Sequence, residues 1–320
     1  MESKRIFLAG ATGTAGRATL QALVAAGHEV VCFTRGPAAL PVDLGVEVRM
    51  GDLFSEASLA RDGIRGEHFD AVVSCIASRS GVPQDAWAVD HEGNLALLRA
   101  AQGAGIGQFV LLSAICVQKP LLAFQHAKLA FEAELRVSGL TWSIVRPTAF
   151  FKSLSGQIDR VRAGKPFLVF GDGRLTACKP ISDADLGAYI AGCVTDPARA
   201  NAVLPIGGPG PAITPMDQAA ALSRLLGREV KVKRVPVALL SVIRACLRGV
   251  GVFSPKMAEK AQLAAIGRYY ATESMLLWDP ERGVYDADAT PETGSDTLFD
   301  FYETLIAEDT SVARGDHSVF

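Results

Sequence analysis

The chain has 320 residues, of which 49% are hydrophobic and 21% are charged, and its formal net charge is -2 at pH 7. This composition indicates a globular protein with a sizeable core, in one large domain or two small ones. The balanced charge, with no basic tract and no zinc-ligand spacing, argues against a nucleic-acid-binding protein, and no apolar run reaches the ~20 residues that span a bilayer.

The cysteines indicate a reducing compartment. Six are present and none has C-x-x-C spacing. Several lie in apolar runs, where a free cysteine behaves as a small hydrophobic residue. With no signal-peptide pattern at the N-terminus, we expect a cytoplasmic location.

The first predicted unit is a strand, a glycine loop and a helix. Residues 5–17 read RIFLAGATGTAGR, an apolar run that leads into glycines spaced three apart. Such a loop lets the backbone approach a pyrophosphate at a helix N-terminus, which favours negative charge. The predicted cofactor contacts in this loop are Gly10, Thr12, Gly13, Thr14, Ala15 and Gly16. The G-x-x-G-x-x-G spacing resembles the extended and atypical short-chain dehydrogenase/reductase families.

The second predicted strand, residues 28–34, is followed by Arg35 and not by an acidic residue. An acidic side chain there would hold a ribose 2′-hydroxyl, whereas a guanidinium suits the additional phosphate of NADPH. NADPH is therefore the predicted cofactor. The alternative for Arg35 is a solvated arginine at the start of a loop.

Four more predicted strands follow, separated by helical patterns. The strands are 46–50, 69–76, 109–113 and 140–146, with helices near 88–104 and 121–138. Continuous Val, Ile and Leu strands are buried on both faces, which predicts an α/β fold with a Rossmann-like, doubly wound parallel sheet. Ligands of such sheets lie beyond the carboxyl ends of the strands. Further cofactor contacts are therefore predicted at Asp52, Leu53, Cys75, Ile76, Ala77, Ser113, Pro147 and Phe150.

The character of the chain changes after Pro147. Segments shorten, glycine and proline become denser, and helices are predicted at 182–194, 214–226, 237–248, 254–270 and 296–307. We therefore predict an NADP-binding Rossmann domain over 1–150 and a smaller, mainly substrate-covering portion over 151–307, some of which returns to the sheet. A loose tail is expected at 308–320, since no apolar period continues there.

Lys128 lies where a short-chain reductase carries the lysine of its Tyr-x-x-x-Lys motif. The tyrosine position holds Phe124, which shares a helix face with Lys128 but has no proton to give. Ordinary carbonyl chemistry is thus disfavoured. Hydride delivery to an activated carbon–carbon double bond, with a proton from another group or from water, remains open.

Longer motifs carry a more specific resemblance. They are FVLLSAICVQKPLL at 109–122, FQHAKL at 124–129, IVRPTAFFKSL at 144–154, VFGDG at 169–173, ACKPIS at 177–182, LPIGGPG at 204–210 and YYATESM at 269–275. Together they resemble the NADPH-dependent divinyl chlorophyllide 8-vinyl reductases of chlorophyll and bacteriochlorophyll synthesis, from the glycine loop to about residue 298. Phe124 also matches that family.

The resemblance implies reduction of the 8-vinyl group of a magnesium tetrapyrrole to ethyl, with Lys128 as the catalytic residue that holds the nicotinamide ribose. The magnesium would arrive with the substrate, so no protein metal site is expected. The predicted substrate contacts are Ile115, Phe124, Phe150, Phe151, Lys152, Cys178, Tyr269 and Tyr270. Lys152 would meet a propionate and a tyrosine would supply a proton, although packing or surface roles for these residues stay open.

Two further questions stay open at this point. The apolar stretch 235–253, interrupted by Arg244 and Arg248, either rests on a membrane surface or forms a buried or lid helix. The alternative functions are a non-catalytic, NADP-binding regulator or assembly factor, and a reductase of a quinone or another aromatic ene compound.

Overall fold

The computed structural model describes residues 3–37, 40, 45–251 and 254–310. Seven parallel strands form its main sheet, in the order β3-β2-β1-β4-β5-β6-β8, and two further pairs are β7 with β9 and β10 with β11. The strands are β1 Arg5–Ala9, β2 Glu29–Thr34, β3 Glu47–Met50, β4 Ala71–Ser74, β5 Gln108–Leu112, β6 Thr141–Pro147, β7 Phe167–Phe170, β8 Ala202–Ile206, β9 Val232–Val235, β10 Leu277–Asp279 and β11 Val284–Asp286. The doubly wound parallel sheet is confirmed.

Helices cover both faces of this sheet. They are α1 Thr14–Ala25, α2 Glu56–Ser58, α3 Pro83–Ala86, α4 Asn94–Gly103, α5 Ala123–Arg136, α6 Phe151–Leu154, α7 Ile158–Arg162, α8 Asp183–Gly192, α9 Pro215–Leu225, α10 Val237–Gly251, α11 Pro255–Thr272 and α12 Leu298–Ala307. The long helix predicted at 88–104 is not one continuous α-helix, because a π-helical segment, Trp87–Gly93, joins α3 to α4. Such wide turns occur often at functional sites.

The sheet separates two apolar layers, and strand alternation explains why. Ile6 and Leu8 of β1 face a layer built with α1 and α8, whereas Phe7 and Ala9 face a layer built with α4 and α5. Both faces of the strand are therefore buried, as the continuous apolar runs predict.

The C-terminal half returns to the sheet through β8, which pairs with β6 in parallel. A third apolar layer lies beneath β7 and is built largely from α9 and α12. The division into two portions near residue 150 stays a prediction. Both β8 and α8, which follow residue 150, pack with elements from the first half of the chain.

Near the C-terminus, α10 packs along α11. Residues 252 and 253 of the apolar stretch and most of the tail predicted at 308–320 lie outside the described residues. Within the described part of the chain, no helix is both long and apolar enough to cross a bilayer.

Candidate functional site

The loops that follow β1 to β6 meet at one edge of the sheet, because the strands are parallel. Gly10 and Gly16 are required there by the fold itself. Gly10 has φ +87°, and a Cβ on it would lie 2.5 Å from the Cys75 carbonyl carbon. A Cβ on Gly16 would lie 2.0 Å from the Gly10 oxygen, so α1 could not approach the loop.

Gly13 differs from these two glycines. A Cβ there would meet only the Gly10 oxygen, at an ordinary 3.6 Å, and the residue is exposed. No contact within the protein requires a glycine at this position. A pyrophosphate that binds close to the Gly13 backbone would require one, because a side chain would occupy its place. The open cradle in front of the α1 N-terminus fits the pyrophosphate of a dinucleotide.

Lys152, predicted to meet a substrate propionate, lies beside this cradle. Its Nζ is 3.3 Å from Oγ1 of Thr14, the first residue of α1. Asp183 lies nearby: burial raises the pKa of its carboxyl, the Lys152 charge lowers it, and its Oδ1 has no hydrogen-bond partner. The arrangement places a cation beside the phosphate position.

The side chains predicted to meet the adenosine end lie after β2 and β3. Arg35 is exposed directly beyond the end of β2. The Asp52 carboxylate accepts a hydrogen bond of 2.9 Å from the Phe54 backbone, and Leu53 is buried beneath it. The Asp52 side chain therefore stabilises its own turn, while the Arg35 guanidinium is accessible to a phosphate.

Lys128 is buried and ion-paired. Its Nζ lies 2.9 Å from Oδ1 of Asp90, which is buried on the π-helical segment. Oδ2 of Asp90 accepts a hydrogen bond of 2.6 Å from the Ser78 hydroxyl, in the loop after β4. One carboxylate therefore fixes both the lysine and the loop, which holds Lys128 at the carboxyl end of the sheet.

Ser113 belongs to a second buried network. Its hydroxyl donates a 2.6 Å hydrogen bond to Oε1 of Glu132, and the Arg146 guanidinium pairs with the same carboxylate. Glu132 is one turn beyond Lys128 on α5. A buried charge with both partners in place is expensive to disturb, so this network fixes the ends of β5 and β6 relative to α5.

Four of the predicted substrate contacts come together in one apolar cluster. The cluster contains Ile115, Phe124, Cys178 and Tyr269, with Cys116, Ile266 and Met275. A Cβ on Gly81 would lie 3.3 Å from the Phe124 ring and 3.2 Å from Ile266, so the loop after β4 closes against both side chains. Aromatic and aliphatic walls of this kind suit a flat apolar ligand.

The two tyrosines of α11 have different environments. The Tyr269 hydroxyl donates to the backbone carbonyls of Cys116 and Lys119, at 2.9 and 3.1 Å, and the side chain is buried. Tyr270 is 36% exposed, its ring packs edge-on against Tyr269, and it lies near the Cys116 thiol. Burial raises the pKa of both phenols, so both are protonated at neutral pH.

Phe150 and Phe151 are separated from each other. Phe150 pairs with Ile181 through the backbone and packs on the layer containing α1. Phe151 lies in the third layer, with its ring centroid 5.6 Å from that of Phe301. The structure therefore does not place this adjacent pair on one wall, since consecutive residues at a helix start point to different sides.

The remaining predicted cofactor contacts lie at the expected edge of the sheet. Cys75 and Ile76 are buried after β4, Ala77 is exposed, and Pro147 ends β6 beside Ile206. Burial raises the pKa of the Cys75 thiol to about 12, so this cysteine is inert packing. Among the described residues, no group of three or more metal-binding side chains is positioned to hold an ion.

Sequence reasoning missed the buried acidic residues Asp90 and Glu132. One signal was present, since Glu132 follows Lys128 by one helical turn, whereas Asp90 is followed directly by His91 and Glu92 and does not stand out. Their partners could not be found from sequence, because the pairings join elements 38 residues apart for Asp90 and Lys128, and Arg146 comes from the next strand.

Comparison with known proteins agrees with this geometry. A family described as NAD(P)H-binding matches residues 10–197, which confirms the nicotinamide cofactor. The crystal structure of leucoanthocyanidin reductase with NADPH, from Vitis vinifera, superposes with a TM-score of 0.69 at 15% identity and covers 95% of this chain and 99% of that chain. At this identity the likeness concerns the fold alone.

Two curated relatives differ in how closely they match. The chain is 27% identical to the photosystem II assembly factor Ycf39 of Synechocystis over 76% of this chain and 74% of that protein. It is 47% identical to the chloroplastic divinyl chlorophyllide a 8-vinyl-reductase of Zea mays over 95% of this chain and 79% of that protein. The resemblance seen in the sequence is confirmed, and the chain belongs to the divinyl chlorophyllide a 8-vinyl-reductase family.

Proposed function

We propose that this protein reduces the 8-vinyl group of a divinyl chlorophyllide or protochlorophyllide to an ethyl group. The observation that carries the proposal is the 47% identity, over nearly the whole chain, to a relative with that name. The magnesium belongs to the substrate. When bound at the glycine loop, NADPH would supply the hydride.

The chain's own residues fit a substrate without a reacting oxygen. A vinyl group offers no carbonyl to a phenol at position 124, and Phe124 adds an apolar wall instead. Lys128, held by Asp90, would bind the nicotinamide ribose and fix the hydride donor in place. The tetrapyrrole would lie against the cluster around Ile115, Phe124 and Cys178.

The proton that completes the reduction would come from Tyr270. Tyr269 is a poor donor because its hydroxyl already bonds two backbone carbonyls. Tyr270 is partly exposed and lies beside Tyr269 on the same helix. A protonated phenol transfers its proton readily to a carbanion, which is a far stronger base, and solvent then restores the phenol.

Preference for NADPH over NADH would depend on Arg35, which is free to grip the 2′-phosphate. Lys152 would bind the pyrophosphate beside Thr14, a contact common to both cofactors. The two residues therefore make separable contributions to binding.

The test is conversion of the pigment. Purified protein is incubated with divinyl chlorophyllide and NADPH, and the product is identified by its blue-shifted Soret band and by a mass increase of two hydrogens, about 2 Da. Absence of conversion with either nicotinamide cofactor contradicts the proposal. Binding of NADPH without conversion of pigment would favour the alternative of a non-catalytic assembly factor, of the kind named for the cyanobacterial relative.

We also propose that the protein works in peripheral contact with a membrane, since its apolar substrate partitions into lipid. A cytoplasmic location stays a prediction, and the name of the maize relative assigns that protein to the chloroplast. Nucleic acid is not among the proposed partners.

A further inference from the structure

Helix α10 presents an uncovered apolar face. It packs against α11 and makes only scattered contacts with other elements. Leu239, Val242 and Ile243, spaced three and four residues apart, are 46%, 57% and 40% exposed. Residues at this spacing share one face of a helix. On α11, Leu263 is 36% exposed, so the exposed apolar residues continue onto the second helix of the hairpin.

The α10–α11 hairpin, with the strand β9 that leads into it, has a net positive charge, whereas the rest of the chain is net negative. Residues 231–260 include seven basic residues and one acidic residue, Glu259, a net charge of +6. The other residues include 25 basic and 33 acidic side chains, a net charge of -8. Of the seven basic residues, Lys231, Lys233, Arg234 and Lys260 are exposed. Charge is thus strongly segregated in a protein that is almost neutral overall.

We propose that the α10–α11 hairpin docks on a lipid bilayer surface that contains anionic headgroups. An exposed apolar helical face with flanking lysines and arginines is the combination that lies in a membrane interface. Each basic residue near an anionic surface strengthens binding by roughly fivefold. A second copy of this chain fits the surface poorly, because a symmetric contact would bring together two segments that each have a net charge of +6.

The position of the hairpin connects this surface with the candidate site. The opposite side of α11 contributes Ala265, Ile266 and Tyr269 to the apolar cluster that contains Phe124 and Cys178. One helix therefore has the proposed lipid surface on one side and the substrate cluster on the other. We therefore expect the pigment to enter from the bilayer along α11. Only this last step rests on the proposed function.

The test uses vesicles without pigment or cofactor, so its result is independent of catalysis. The full chain is sedimented with vesicles of phosphatidylcholine alone and with 30% phosphatidylglycerol, in low salt and in high salt. We expect binding to the anionic vesicles, weakened at least tenfold by high salt. Val242→Glu with Ile243→Glu should weaken it more than tenfold, and so should Lys233→Glu with Arg234→Glu.

Matched controls place the same changes elsewhere. Val137, at the end of α5, is 81% exposed, so Val137→Glu should bind vesicles like the unaltered protein. Arg99→Glu is the control for charge, since Arg99 is exposed on α4 and lies outside residues 231–260. Circular dichroism and NADPH binding verify that each variant is folded. Val242→Ser is a milder second variant, for use if the glutamate variant does not fold.

Two outcomes overturn the proposal. One is an absence of binding to anionic vesicles, or binding that the hairpin variants leave unchanged. The other is a dimer, seen by sedimentation equilibrium, that Val242→Glu dissociates, in a protein that does not bind vesicles. That result would mean that the apolar face of α10 binds a second copy of the chain. If the protein reduces the pigment but does not bind vesicles, the membrane proposal fails and the proposed activity stands.

Discussion

Single residues in the glycine loop have separable physical roles. Gly16 is required by packing, because a Cβ would lie 2.0 Å from the Gly10 oxygen, whereas a Cβ on Gly13 meets nothing closer than 3.6 Å. Gly16→Ala should therefore destabilise the fold by about 1–3 kcal/mol or more, lowering Tm by several degrees. Gly13→Ala should leave Tm nearly unchanged and weaken NADPH binding.

Thermal unfolding and fluorescence titration with NADPH measure the two effects. Equal losses of Tm in both variants would show that Gly13 serves the fold. Equal losses of cofactor affinity with no change in Tm would show that the crowding at Gly16 is relieved by a small shift of α1.

Arg35 and Lys152 are proposed to bind different phosphate groups of the cofactor, the 2′-phosphate and the pyrophosphate. Charge-assisted hydrogen bonds contribute about 1.5–3 kcal/mol, so Arg35→Ala should weaken NADPH binding by roughly ten- to a hundredfold and leave NADH binding unchanged. Lys152→Ala should weaken both by a similar factor, since Lys152 lies beside Thr14 at the pyrophosphate position. Dissociation constants for both cofactors test this, and a loss confined to NADPH in the Lys152 variant contradicts its assignment.

The adjacent tyrosines of α11 form a natural control pair. Tyr270→Phe removes the proposed proton donor and should lower turnover at least tenfold while pigment binding is kept, because general acid catalysis contributes about 10²–10⁴-fold. Tyr269→Phe removes a donor to the carbonyls of Cys116 and Lys119, of which the Cys116 carbonyl still accepts from Gln125, and should cost about 1–2 kcal/mol of stability instead. Turnover and urea unfolding of both variants decide the matter. An active Tyr270→Phe protein would assign the proton to another group.

Between elements, the Lys128–Asp90 pair joins α5 to the π-helical segment. Removing one partner leaves a buried charge alone, so Asp90→Asn should destabilise the protein by about 3–5 kcal/mol. Asp90→Asn with Lys128→Met removes both charges and should recover much of that loss. A double-mutant cycle from urea unfolding measures the coupling. Additive losses would mean that the two side chains are not paired in solution.

The sequence predicts the elements better than the contacts between them. Every predicted strand of the main sheet up to β6 is present, within three residues at each end, because apolar runs and glycine punctuation are local signals. The π-helical segment is not predictable, because seven residues are too few to show a period different from that of an α-helix. Lys152 shows the limit at the site, since its contact with Thr14 joins residues 138 positions apart and no local pattern indicates it.

For the whole molecule, the two halves of the site have different physical characters. The cofactor half consists of strand ends fixed by buried ion pairs, at Lys128 with Asp90 and at Arg146 with Glu132. The proposed substrate half is an apolar cluster to which α11, a helix outside the main sheet, contributes side chains. In the proposed function, a large and flat ligand would contact this peripheral helix without disturbing the sheet.

Buried thiols make the stability of the whole protein sensitive to alkali. Burial raises the pKa of Cys32, Cys75 and Cys178 to about 12 and that of Cys193 to about 11. In the unfolded chain a thiol ionises at about 8.5. Between these values the unfolded state binds fewer protons than the folded state, so stability is fully present below about pH 8.5 and falls as pH rises.

Each such thiol should contribute a slope of up to about 1.4 kcal/mol per pH unit between roughly pH 9 and 11. Tyrosines with raised pKa act in the same direction, so single variants are needed to isolate one group. Cys75→Ala should reduce the slope of unfolding free energy against pH, and Cys246→Ala, at an exposed position, is the matched control. Urea unfolding at half-unit steps of pH measures both slopes. Identical slopes in the two variants would mean that the Cys75 thiol ionises in the folded protein as easily as it does in the unfolded chain.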